Sequence, residues 1–97
     1  MVNPQYLRWR ASLSAITNTL HRQLVDDLLS QLAIDVKQPV STSFLRRNLP
    51  PGPGPRERLL STVRIHVTNI TGIEMNSAEL SDPDAYGVVT IKMTPRW

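Results

Sequence analysis

Apolar residues recur at Tyr6, Trp9, Leu13, Ile16 and Leu20 in steps of three and four, then at Leu24, Leu28 and Leu32 in steps of four. Such spacing keeps one stripe on one face of an α-helix, and Val25 and Leu29 widen it in the second half. Thr17, Arg22, Gln23, Asp26, Asp27, Ser30 and Gln31 fall mainly on the opposite side. Asn3 is a good N-cap, and Pro4 suits the first helical position, where its missing N–H removes nothing from the ladder. The pattern predicts a long amphipathic helix over 4–33. Ser12, Ser14, Thr17, Asn18 and Thr19 are weak helix formers that cap well, so a break near Asn18 into two helices stays open.

Residues 34–45 (IDVKQPVSTSFL) turn β-branched and polar, and Pro39 restricts any strand there to a sheet edge or splits it in two. The stretch 46–58 (RRNLPPGPGPRER) holds four of the eight prolines and two of the four glycines, which predicts an extended, semi-stiff loop. Within a C-terminal β part over 59–95, TVRIHVTNI (62–70) alternates, with Val63, Ile65 and Val67 on one face. Its β-branched content favours a half-buried strand after a short helical turn at 56–60. A helix over 56–70 competes, because Leu59, Leu60, Val63, Val67 and Ile70 also fit helical spacing. Residues 73–80 begin as a strand through Ile73 and Met75, and Asn76 with Glu79 suggests a single capped turn. Ser81 to Asp84 form a turn cluster, and Tyr86 to Met93 predict a last strand with Val89, Ile91 and Met93 facing inward. The expected fold is α+β in one small domain over 1–97, a long helix on a mostly antiparallel sheet of three to four strands.

At 97 residues, with 40% hydrophobic and 20% charged side chains, the composition is that of an ordinary globular chain. Only Tyr6, Trp9, Phe44, Tyr86 and Trp97 are aromatic, so the core must be aliphatic. No cysteine is present, which removes disulfides, thiolate nucleophiles and Cys-based metal sites from consideration. No apolar run reaches the length of a spanning helix, and the N-terminus has no basic stretch followed by an apolar one. A cytoplasmic setting is the expectation, with an excised extracytoplasmic domain as the alternative.

The net charge of +3 is unevenly spread. Residues 1–66 carry nine basic against four acidic side chains, whereas 67–97 carry two against four. Arginine outnumbers lysine nine to two, and arginine favours planar, bidentate partners such as carboxylate and phosphate. Arg46, Arg47, Arg56 and Arg58 bracket the proline segment and Arg64 follows, a set able to reach a phosphate backbone. Aromatic side chains are missing from 46–58 and only Phe44 is near, which argues against a single-strand binder that stacks bases on an aromatic platform.

Catalytic patterns are weak. His21 and His66 have no second ligand at metal spacing, and no serine sits in a nucleophile elbow. Asp26 and Asp27 point about 100° apart on a helix, and Asp82 with Asp84 lacks the remaining oxygens of a calcium loop. The prolines interleaved with Gly52 and Gly54 remove the N–H groups that a phosphate loop needs. Neither a metal nor a cofactor is expected. Arg8-Trp9-Arg10 has the look of an interfacial anchor, although Trp9 also lies on the apolar stripe, and Asn69-Ile70-Thr71 matches a glycosylation sequon.

Arg47 to Pro53 (RNLPPGP) resembles the R-x-L-P-P-x-P ligands of SH3 domains, which implies prolines docked in aromatic grooves and an arginine paired with an acidic pocket. The resemblance covers seven residues, and Gly52 departs from the usual bulky residue between the prolines. The leading expectation is a non-catalytic protein–protein interaction or assembly module, docking through Trp9, Leu13, Leu24, Leu28, Pro50 and Pro53 or self-associating at a strand edge. The alternative is a nucleic-acid-binding protein using arginines 46–64, and the third reading is the SH3-type ligand.

Overall fold

The computed structural model describes residues 3–96, so Trp97 lies outside the described residues. Asn3 opens the first helix, α1 (Pro4–Arg10), by accepting at Oδ1 from the N–H groups of Gln5 and Tyr6. A 3-10 segment, Ala11–Ala15, follows, and the chain then extends at Ile16. At Asn18 a second cap forms, its Oδ1 accepting from His21 N at 3.0 Å, and α2 runs from Thr19–Ile34. The break near Asn18 is therefore real. Asn3 also reaches across, Nδ2 donating to Ala33 O at 2.8 Å, so one side chain serves the start of α1 and the end of α2.

Next come β1 (Val40–Leu45), a 3-10 turn at Arg46–Asn48, α3 (Pro55–Thr71), β2 (Met75–Leu80) and β3 (Val88–Pro95). The sheet order is β1-β3-β2, with β3 antiparallel to both neighbours. β1 and β2 consequently run parallel to each other, joined through α3 and separated by β3, a split β-α-β arrangement. The fold is α+β, and both edges of the sheet are short strands.

Four sequence expectations need correction. Residues 62–70 are not a strand; they belong to α3. Leu59, Val63 and Val67 are buried one turn apart while Ile65 is 57% exposed, a burial period of four rather than two. Pro55 starts this helix and Gly72 ends it at φ +73°, a left-handed C-cap that glycine adopts without steric penalty. The one turn expected at 56–60 is the beginning of the same helix. Asn76 to Glu79 remain in β2, so no capped turn forms there. Finally, the irregular loop is shorter than 46–58: Arg56 and Arg58 lie on α3, and Arg46 and Arg47 on the 3-10 turn.

The core combines Leu24, Val25, Leu28, Leu29 and Leu32 of α2, Leu59, Val63 and Val67 of α3, and Val40, Phe44, Met75, Val89, Ile91 and Met93 of the sheet. Trp9, Leu13 and Ile16 seal one side of it. In register, Val40 faces Met93 and Phe44 faces Val89, while Ala78 and Leu80 oppose Met93 and Ile91. No polar or charged side chain is buried among the described residues. The outer face carries Ser41, Ser43, Ser77, Glu79, Thr90 and Lys92, all exposed. A sheet with one apolar and one hydrated face is the usual antiparallel solution.

Side chains from the helices cover the backbone of both edge strands. Gln31 of α2 pairs with Ser41 of β1, accepting from its N–H at 3.1 Å and donating to its carbonyl at 2.5 Å. Thr42 Oγ1 donates to Asp27 Oδ2 at 2.9 Å beside it. On the other edge, Arg64 donates to Met75 O at 2.6 Å and Arg56 to Ser81 O at 2.8 Å, at the two ends of β2. Occupied edge carbonyls and N–H groups are poor templates for an added strand.

Candidate anion-binding site

The 3-10 turn at Arg46–Asn48, the proline loop, the first turn of α3 and the β2–β3 hairpin meet at one corner. Two backbone-directed bonds hold it. Arg46 N donates to Gly87 O at 2.8 Å, which fastens the turn to the end of the hairpin. Arg56 donates to Ser81 O, which fastens α3 to the hairpin's beginning. The hairpin is itself ordered by Asp84, whose Oδ1 accepts from Tyr86 N at 2.8 Å and Val88 N at 3.0 Å. Gly87 takes φ +78° to close it.

Between these pieces lies a groove of about 490 Å³ lined by Arg46, Arg47 and Arg56 with Leu49, Pro50 and Pro51. Adjoining it across Gly87, a second groove of about 300 Å³ is lined by Leu45, Arg47 and Tyr86. No acidic residue lines either one. Arg46 and Arg47 are exposed, and among the described residues their side chains make no hydrogen bond or ion pair. Arg56 uses one N–H on Ser81 and keeps the other donors of its guanidinium. Glu57, Asp82 and Asp84 are exposed nearby in sequence, and Asp84 is oriented toward its own hairpin backbone.

Of the five arginines singled out in the sequence, three come together. Arg58 sits on the far side of Pro50 and Pro55, in a separate groove with Asn18, His21, Asn48 and Leu49. Its guanidinium also folds back over Gly54, so that a Cβ there would collide with it. Arg64 lies two turns farther along α3, beside Glu74 and Met75. His21 is held below the ordinary imidazole value by burial and, secondarily, by the charge on His66. Among the described residues no group of three or more His, Cys, Asp or Glu is placed to hold a metal ion.

The docking residues divide similarly. Trp9, Leu13, Leu24 and Leu28 are buried in this chain's own core, so the apolar stripe is not a free surface. Its breadth is explained by α3, which packs on α2 in addition to the sheet. Pro50 and Pro53 are exposed, but Gly52 between them has φ +121°, far from the polyproline value that an SH3 ligand holds through this segment. No helix among the described residues is long and apolar enough to cross a membrane.

Tyr86 is the residue that sequence reasoning missed. At 87% exposure it is the most exposed of the large hydrophobic side chains among the described residues, and the hairpin sets it in one groove with Arg47, although 39 positions separate them in the chain. Phe44, the aromatic that looked close, is buried. Compared with protein-family models, with curated proteins and with solved structures, the chain shows no significant match.

Proposed function

We propose that this protein is a non-catalytic interaction module that docks an anionic partner at the corner formed by Arg46, Arg47, Arg56 and Tyr86. The observation that carries the proposal is an acid-free groove with three arginines, two of which have exposed guanidinium groups with no partner among the described residues. An unpaired arginine fork presents a fixed pattern of donors that matches a carboxylate or phosphate. The proline rings and Leu49 give the groove stiff apolar walls, which lower the ordering cost of binding. Neither a carboxylate nor an imidazole lines it, so it holds an anion without offering a base to attack it.

A module that docked through its helices or by adding a strand draws less support. The stripe of α2 faces inward, and Gln31, Arg56 and Arg64 occupy strand-edge backbone groups. The test is a titration with inorganic polyphosphate followed by amide and guanidinium NMR shifts. Changes grouped at Arg46, Arg47, Arg56 and Gly87 support the proposal; changes on the outer sheet face, or none, contradict it.

A further inference from the structure

Tyr86 distinguishes this corner from a simple basic patch. A phenol ring at the tip of a hairpin, hardly covered by its own chain, contributes nothing to the core and exposes apolar area to water. Asp84 nevertheless fixes its backbone by accepting from the N–H groups of Tyr86 and of Val88 two residues on, and Gly87 fixes the turn between them. The ring is thus carried on a firm base and lines one groove with Arg47, and that groove shares Arg47 and Gly87 with the arginine groove.

Building on the anion-docking reading above, we infer that the partner is single-stranded nucleic acid, its phosphates held by Arg46, Arg47 and Arg56 and one unpaired base stacked on Tyr86. Stacking needs a base whose face is open, which a duplex withholds and a single strand offers. An aromatic face next to a cationic phosphate site is the combination by which sequence-tolerant single-strand binders work. An acidic peptide would satisfy the arginines equally well but gives the ring no planar partner. The outer sheet face carries serine, threonine, lysine and glutamate and no aromatic side chain, so contact is confined to the corner and to a few nucleotides.

The test compares the full chain with Tyr86→Ala and Tyr86→Phe, after circular dichroism shows all three folded. Each is titrated at low salt with a single-stranded oligonucleotide, the matching duplex, inorganic polyphosphate and polyglutamate. The inference expects the single strand to bind tightest, Tyr86→Ala to weaken it about tenfold toward the polyphosphate level, and Tyr86→Phe to bind like the native chain. Equal binding of all four polymers, unchanged by Tyr86→Ala, overturns the nucleic-acid inference and leaves anion docking standing. A preference for polyglutamate also overturns it and identifies an acidic protein as the occupant. Binding to none of the four overturns both.

Discussion

Gln31 pairs with Ser41 as a neighbouring strand would, its side-chain amide accepting from the backbone N–H and donating to the backbone carbonyl of an edge residue ten positions away. This contact holds α2 to β1 and occupies backbone groups at a sheet edge that would otherwise be open to an added strand. Gln31→Ala is expected to destabilise the chain by about 1–2 kcal/mol, since two hydrogen bonds each contribute about 1 kcal/mol net. Urea unfolding measures the loss, and light scattering should show more self-association than in the native chain. A variant with native stability and native self-association would mean that the amide contact carries no energetic weight.

Ile65 and Val63 separate helix from strand for residues 62–70. In a strand both would face inward; in α3 Val63 is fully buried and Ile65 is mostly exposed. Ile65→Asp should change stability by less than about 0.5 kcal/mol, whereas Val63→Ala should cost about 2 kcal/mol or more. Denaturant midpoints of the two variants decide it, and a severe loss from Ile65→Asp would favour the alternating strand.

The N-cap of α2 and the C-cap of α3 give a second stability series. Asn18→Ala removes the acceptor for His21 N and should cost about 1 kcal/mol. Gly72→Ala should cost a similar amount, about 1 kcal/mol, because its φ of +73° disfavours any side chain although nothing crowds the site. Thermal unfolding of the two single variants and the double variant should show additive losses, as the sites share no partner.

Stability should depend on pH at both ends. His21 titrates lower in the folded chain than its unfolded value of 6.5, so its contribution is complete above that value and is lost as pH falls through the folded value. Tyr6 behaves oppositely. Its hydroxyl donates to Asp26, which raises it above 10.0, so its contribution is present below that pH and is lost as pH rises through the folded value. Unfolding curves across pH should flatten on the acid side in His21→Gln and on the alkaline side in Tyr6→Phe.

The helical half of the fold was legible because its signals are local. Asn3 with Pro4 and Asn18 with its polar neighbours mark two starts, and the leucine spacing of α2 has no β alternative. Pro39 lies just before β1, which begins at Val40 and is an edge strand. The segment 62–70 was misread because Val63 and Val67, four apart, share a face in either conformation, and the β-branched content then tipped the choice. Pro55 and Gly72, one helix length apart, are the boundary signals that favoured α3, but each looked like part of a neighbouring loop. The candidate site was half legible for a different reason. Arg46 and Arg47 are adjacent in the chain, whereas their meeting with Tyr86 depends on the pairing of Leu45 with Val88 across the sheet, a long-range register that composition does not encode.

The salt dependence of single-strand binding tests the central claim most directly, measured by fluorescence anisotropy for the native chain and for Arg46→Ala/Arg47→Ala. Three phosphate contacts predict that the logarithm of the association constant falls with the logarithm of salt at a slope of about −2, shrinking to about −0.7 when two arginines are removed. Both variant positions are exposed and free of side-chain bonds among the described residues, so the fold should be unchanged. A native chain that does not bind at low salt, or a slope indifferent to losing Arg46 and Arg47, would contradict the account.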